Sequence, residues 1–244
     1  MAVDDTDDES SRGTGFLARN LARELQEAGL IRTSGVTRHQ LLVDDRIPYT
    51  SHNSSACIAV ERTGAGEEEI AGFAAGFLGR EAASRSDAGL CVANAGCVGP
   101  AIISFGRRAK TELLTAAEAH SLAAAAGVHL SGHTGERIGV IGALAAVGLR
   151  HAGNDGRFLE LAGLRRLRGV VRIGELEAIG VRRFRTDAGQ VTLSSELPID
   201  VGDWCRPLLV EGTPTLLVEE VVDCHEPEVQ WRVQDKERVK KQSA

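Results

Sequence analysis

The hydrophobic pattern of this chain changes its period part-way along, and that change limits the fold more than any other feature. Up to the basic stretch Arg165-Arg166-Leu167-Arg168, segments of helical spacing alternate with short apolar runs. Leu17, Leu21, Leu25 and Ala28 recur at three- and four-residue steps, which predicts an amphipathic helix over 16–28 with Gly29 as its stop. Strands are expected at 36–43 and 56–60, around the loop 44–55. A second helix should follow Glu67-Glu68-Glu69, whose carboxylates suit a helix N-terminus. A short buried strand at 90–93, helices near 100–110, 116–126 and 136–150, and a strand at 158–161 complete the series. Such alternation predicts an α/β or α+β layer over residues 1–165. Beyond it, strand-like runs at 170–173, 178–184, 191–193, 208–210 and 215–221 are separated by turn signals such as Asp187-Ala188-Gly189 and Gly212-Thr213-Pro214. A small β-rich unit over 166–234 is the simplest reading, followed by a charged tail, 235–244, that should fray.

A chain of 244 residues with 43% hydrophobic and 25% charged side chains can bury an ordinary core. Its net charge of −6 weighs against a protein that grips a nucleic-acid backbone over its whole surface, though it leaves room for a local basic patch. No apolar run is long enough to span a bilayer, and the first residues are acidic where a signal peptide would be basic. The expectation is a cytoplasmic protein with no membrane partner. Cys57, Cys91, Cys97, Cys205 and Cys224 form no C-x-x-C pair and are odd in number, so neither a structural zinc nor a disulfide framework is expected.

The chemistry is concentrated at the start. Asp4, Asp5, Asp7, Asp8 and Glu9 fall within six positions. Two carboxylates about 5 Å apart repel by about 1 kcal/mol in water and by more when partly buried. A hard divalent cation removes that repulsion, and Mg²⁺ typically takes one or two carboxylates together with phosphate oxygens. A solvated acidic end would show the same composition. What favours a metal is the continuation, Arg12-Gly13-Thr14-Gly15, which runs straight into a helix. Glycines there free backbone N–H groups to approach a phosphate at the helix N-terminus. The segment matches neither a Walker A loop nor a Rossmann fingerprint. It nevertheless reads as a Mg²⁺–nucleotide site, with Asp4, Asp5 and Asp7 on the metal and Thr6, Gly13, Thr14 and Gly15 at the nucleotide.

Two further polar segments stand out. The loop from Ile47 to Ala56 carries His52 and Asn53 as candidate contacts to phosphate or substrate, although most such loops are only surface. Gly132, His133, Thr134, Gly135, Glu136 and Arg137 form a glycine-flanked loop before a helix of small residues, a second candidate anion or ribose contact. Close packing of that helix explains its glycines equally well. His133 could act as acid or base, but a histidine is more often simply hydrogen-bonded. Asp87, in the turn Ser86-Asp87-Ala88-Gly89, could serve the metal or the substrate.

In chain order, Asp4-Asp5-Thr6-Asp7, Arg12-Gly13-Thr14, Ile47-Pro48-Tyr49 with Asn53 and Ala56, Asp87-Ala88-Gly89, and Gly135 through Ile141-Gly142-Ala143-Leu144-Ala145-Ala146-Val147-Gly148 resemble the archaeal agmatidine synthetase family. Members of that family modify the anticodon cytidine of an isoleucine tRNA. The resemblance covers residues 1–165 and implies a kinase-like fold that uses ATP and Mg²⁺, with a ferredoxin-like subdomain within 90–165. It also implies the chemistry: phosphorylation of a carbonyl oxygen, then displacement of that phosphate by an amine. By the same resemblance Asp4, Asp5 and Asp7 hold metal and phosphates, Gly13 and Thr14 touch phosphates, and the loop 132–137 closes over nucleotide or substrate. The sequence departs from the family as well. The family's OB-fold and zinc ribbon have no counterpart here, Asp8-Glu9-Ser10-Ser11 lengthens the approach to the glycine turn, and Thr14 matches only loosely a threonine that the family autophosphorylates. Fold and ATP use therefore carry over by resemblance, and a tRNA substrate does not.

The expectation is an ATP- and Mg²⁺-dependent phosphotransferase or ligase-like enzyme that activates a carbonyl, amide or carboxylate oxygen of a small molecule. Asp4, Asp5, Asp7, His133 and Arg137 would be its catalytic set, with Arg12 and Arg38 as further partners for the transferring phosphate. His39, His52 or His133 could manage a proton. The first rival is a tRNA-modifying enzyme related to agmatidine synthetase, which would recruit RNA through 165–172 and the β unit. The second is a non-catalytic nucleotide-binding regulatory protein. Expected partners are ATP and the unidentified small molecule, with nucleic acid ranked below them; the β unit could also serve a homodimer.

Overall fold

The computed structural model describes residues 1–47, 53–221 and 229–243. The first part runs β1 (Ala2–Asp4), α1 (Thr14–Glu27), β2 (Ile31–Gln40), β3 (Ser54–Arg62), α2 (Glu67–Glu81) and β4 (Gly89–Val92). It continues with α3 (Pro100–Arg108), α4 (Ala116–Ala126), β5 (His129–Gly132), α5 (Val140–Ala152) and β6 (Arg157–Glu160). The strand order β5-β4-β1-β3-β2-β6 places the three-residue β1 in the middle, antiparallel to both β3 and β4.

Alternation along these strands builds two cores. Val3, Ile58, Leu90 and Val92 point to one face, where Leu17, Leu21 and Leu25 of α1 and Ile70, Ala74 and Phe77 of α2 cover them. Ala2, Cys57 and Cys91 point to the other, under α3, α4 and α5. Strands buried on both faces lose the polar alternation of a surface sheet, which is why β3 and β4 read as short apolar runs. Helix α5 is the most deeply set. Its small residues permit this: a β-carbon on Gly148 would lie 2.3 Å from the Ile102 carbonyl oxygen of α3.

The rest comprises β7 (Val170–Arg172), α6 (Ile173–Ala178), β8 (Arg183–Thr186), β9 (Gly189–Val191), β10 (Pro198–Asp200), β11 (Leu208–Val210), β12 (Thr213–Glu220), β13 (Trp231–Val233) and α7 (Lys236–Gln242). These strands prolong the sheet through β6-β11-β12-β13-β10-β7, with β8 and β9 branching from β12. A separate apolar cluster, including Phe158, Ile173, Leu176, Phe184, Ile199 and Leu216, fills their interior. The whole is a mixed α+β fold whose first part carries helices on both faces and whose second part is β-rich.

Several expectations shift. Strand β2 begins five residues earlier than predicted, because a register shift between Thr33 and Gly35 lets the polar run Arg32–Ser34 join the ladder. The helix expected from 136 starts at Val140, since Gly135 and Arg137 both take positive φ. The strand expected over 178–184 is two elements: α6 ends at Ala178, Gly180 turns the chain at φ 103°, and β8 follows. The end does not fray over its described length, 235–243: the Asp235 side chain caps α7 and Val239 is buried against Leu208 and Leu217. Among the described residues no helix is long and apolar enough to cross a membrane.

Candidate functional site

Strand β1 ends by delivering Asp4 into a cavity of about 600 Å³, within the usual range of small-molecule sites. The residue is 8% exposed. Burial, with Asp5 and Asp7 adding to it, drives this carboxyl well above the ordinary carboxylate range against a pull down from the Asp5 N–H. Asp5 follows at φ 48°, a left-handed backbone uncommon for a residue with a β-carbon. Its carboxyl is pushed up to about 6, by burial first and then by Asp87 and Asp7. Four carboxylates thus crowd one region, and crowding of this kind is relieved by a cation.

Asp7 turns back on the glycine segment. Its Oδ1 accepts from the Thr14 N–H at 2.9 Å and from the Thr14 hydroxyl at 2.7 Å. That hydroxyl in turn accepts from the N–H and the hydroxyl of Thr6, each at 3.2 Å. Gly13 is the N-cap of α1, and Gly15 sits so close to Leu159 that a β-carbon would lie 2.6 Å from its Cδ1. The acidic segment and the helix start are therefore one hydrogen-bonded unit. Gly13, Thr14 and Gly15 all line the cavity.

The start of α5 forms a wall directly against Asp4. A β-carbon on Gly139 would lie 2.5 Å from the Asp87 carbonyl oxygen and 3.0 Å from that of Asp4. Strands β2 and β3 contribute Arg38 and the run Ser54-Ser55-Ala56. Arg38 donates from Nε to the Ser54 hydroxyl at 2.9 Å. The Ser55 hydroxyl is buried, lines the cavity and has no hydrogen-bond partner among the described residues. A buried hydroxyl left unmet beside a cavity is a candidate contact for a ligand. Leu41, Ile47, Leu114 and Ile141 supply an apolar side.

The structure thus brings Asp4, Asp5, Asp7, Gly13, Thr14, Gly15 and Asn53 to one cavity. Asn53 also braces its own loop, donating to the Leu42 carbonyl at 2.7 Å. His52 lies outside the described residues. Thr6 and Asp87 stand behind the wall. None of Gly132, His133, Thr134, Gly135 and Arg137 lines it. Their loop packs on the Asp87 turn: Thr134 Oγ1 accepts from the Ala88 N–H at 2.8 Å, Asp87 Oδ1 accepts from the Glu136 N–H, and Gly135 leaves no room for a β-carbon beside Asp87. His133 shares a hydrogen bond with the Ser131 hydroxyl at 2.9 Å, and its pKa is lowered by burial and then by His129 and Arg137. Ser55 falls within the polar segment from Ile47 to Ala56 read as a candidate lining, whereas Arg19 and Gly142 were not legible as cavity residues, because their placement depends on helix packing rather than on local composition.

Among the described residues no three His, Cys, Asp or Glu side chains converge into a ready-made metal cage. The donor set suits a cation that takes one or two carboxylates and finds its other ligands on phosphate and water. Asp4 and Asp5 fit that role.

No family model matches the chain, and no curated protein matches it in sequence. Solved structures do. A tRNA fluorescent labeling enzyme superposes with a TM-score of 0.53 at 25% identity, over 60% of this chain and 34% of that one. The complex of TiaS with an isoleucine tRNA and ATP gives 0.52 at 25% identity, over 60% and 35%. Apo TiaS, the agmatidine synthetase acting on that tRNA, gives 0.52 at 22% identity, over 60% and 34%. The chain carries an agmatidine synthetase-like fold. It spans about a third of the length of these agmatidine synthetase structures, and the likeness takes in 60% of its own residues.

Proposed function

We propose that this chain is an ATP-using enzyme that modifies tRNA, related to agmatidine synthetase in how it activates a carbonyl-type oxygen. The observation that carries this reading is the buried Asp4 carboxylate at the end of a central strand, facing a cavity shared with the glycine start of α1 and the unmet Ser55 hydroxyl. Support for the tRNA part comes from the neighbours, one of which was solved with an isoleucine tRNA and ATP.

Asp4 and Asp5 would hold Mg²⁺, which when bound offsets the negative charge of the phosphates. The N–H groups of Gly13–Gly15 would receive phosphate oxygens at the head of α1. Arg38 would approach the transferring group, since phosphoryl transfer is largely positioning and charge neutralisation. The apolar side would take a flat base. Asp87 would act through Asp5, held in place by Thr134 and Gly135. The cavity volume would equally admit a free small-molecule acceptor, which is the second reading. A cytoplasmic location belongs to both.

The test pairs nucleotide binding with turnover. Asp4→Asn and Asp5→Asn should each weaken Mg²⁺-dependent ATP binding at least about tenfold, the loss expected for one charge-assisted contact of about 1.5–3 kcal/mol, whereas Asp8→Asn should not. Release of ADP, or of AMP and pyrophosphate, should rise when tRNA is added. Unchanged ATP affinity in the Asp4 and Asp5 variants would remove the basis of the proposal.

A further inference from the structure

Five arginines gather on the seam between the helix-covered part and the β-rich part. Arg12 precedes α1 and Arg19 lies on it, Arg165 and Arg166 belong to the 3-10 turn Leu164–Arg166, and Arg206 stands just before β11. One carboxylate faces them, Glu160 at the end of β6, and it feels Arg19, Arg165, Arg206 and Arg166 together. Among the described residues none of Arg19, Arg165, Arg166 and Arg206 closes an ion pair. The cations act on each other instead: Arg206 is lowered to about 10 by burial and then by Arg165, and Arg19 is lowered by burial and then by Arg165.

Aromatic rings are interleaved with them. The guanidinium groups of Arg12 and Arg19 lie 4.5 and 5.6 Å from the Phe16 ring centroid, and that of Arg206 lies 5.5 Å from the Trp204 ring. Phe16, Arg19 and Arg165 also line the cavity, so the basic surface runs into its mouth. A chain of net charge −6 concentrates here more positive charge than one glutamate can balance. A row of phosphates meets that surplus, and cations set beside half-buried rings suit a strand with splayed bases.

We propose that this seam docks the phosphodiester backbone of the RNA whose base enters the cavity, with Arg165, Arg166 and Arg206 supplying the half of the grip that lies beyond β6. The inference rests on the tRNA reading above and assigns a role to the β-rich part.

The experiment measures binding of unfractionated tRNA to the full chain across a salt series, alongside ATP affinity. Arg166→Gln is the first variant, because the side chain is exposed and its loss leaves the core alone. Arg166→Gln with Arg206→Gln is the second, and Arg166→Lys is the charge-keeping control. Each neutralised arginine should flatten the plot of log affinity against log salt by about 0.7–0.9 and lower affinity about five- to eightfold near 0.1 M salt. The lysine control should stay near wild type, and ATP affinity should not move. If tRNA binds the variants with unchanged slope, the RNA docks elsewhere and the seam is wrong while the tRNA reading stands. If ATP affinity falls in step with tRNA affinity, the arginines serve the triphosphate and the inference fails. A wild-type chain that binds ATP but shows no salt-dependent tRNA binding overturns both the seam and the tRNA reading.

Discussion

Asp4 and Gly142 share one space: a β-carbon built at 142 would lie 1.8 Å from Asp4 Oδ2. The contact joins the end of the central strand to the first turn of α5. Four backbone N–H groups at a helix start lack intrahelical partners, and that end carries partial positive charge. The carboxylate is thus pressed against the one part of a buried helix that favours a negative charge.

Gly142→Ala should therefore act mainly on Asp4. The methyl group must displace the carboxylate or the helix, and overpacking of this kind costs about 1–3 kcal/mol. Gly148→Ala is the matched control, since its β-carbon would meet the Ile102 carbonyl oxygen away from the cavity. Both variants should lose stability in urea unfolding. Only Gly142→Ala should also lose ATP affinity, by about tenfold or more if one charge-assisted contact is broken.

The Thr14 hydroxyl ties Thr6 to Asp7, and removing it has a separable signature. In Thr14→Val the shape is kept, but the buried Thr6 N–H loses its acceptor, at a cost of about 1–3 kcal/mol. The acidic segment should then detach from the head of α1. Calorimetry should show weaker Mg²⁺–ATP binding together with a lower unfolding midpoint, and Thr14→Ser should restore both. If binding is unaffected while stability drops, the hydroxyl is a brace and no more.

What the sequence disclosed follows the range of the forces involved. Helices α1 and α2 were legible because their apolar spacing and their end signals, Gly29 and Glu67-Glu68-Glu69, lie within or beside their own residues. The acidic cluster was legible for the same reason. Helix α6 was hidden by its length of six residues, too short for Ile173 and Leu176 to display a period. Arg19 joins the site through helix packing that no local pattern encodes. The loop 132–137 shows the converse: a glycine-flanked polar segment reads alike whether it meets a ligand or, as here, clasps the Asp87 turn.

Helix α7 was read as a loose end because a single apolar residue, Val239, anchors it within a charged run. Val239 is 1% exposed, packed with Leu208 and Leu217, and Arg157 Nη1 donates to the Ser243 hydroxyl at 2.8 Å. Val239→Ala should cost about 2 kcal/mol through lost burial and the void left behind. Lys241→Ala, on the exposed side, should change stability by less than about 0.5 kcal/mol. Equal urea midpoints for the two would show that the helix is not part of the cooperative fold.

Acid lability should trace to a buried network under α5. His39 is fully buried, with Nδ1 2.8 Å from Asp155 Oδ1 and Nε2 2.8 Å from the Thr37 hydroxyl. Asp155 also receives the Lys110 ammonium. The pKa of His39 is lowered from the ordinary 6.5, first by burial and further by Arg150 and Lys110, against the pull of Asp155. A neutral ring that donates from Nδ1 to Asp155 and accepts at Nε2 satisfies both contacts. The unfolded chain then takes up a proton near pH 6.5 that the folded chain refuses, so stability is held above that pH and lost as pH falls through it. Asp155, lowered below its ordinary 3.8 by His39 and Lys110 despite its burial, adds a second loss at lower pH by the same sign. The His39 contribution to the melting temperature should therefore shrink from about pH 7.5 to about 5.5, while the raised Asp4 and Asp5 carboxyls favour the folded chain as pH falls and act alike in wild type and variant. His39→Asn should melt lower than wild type at the upper end of that window, with the gap closing toward its lower end. A gap that stays constant across the window would assign this acid sensitivity to another group.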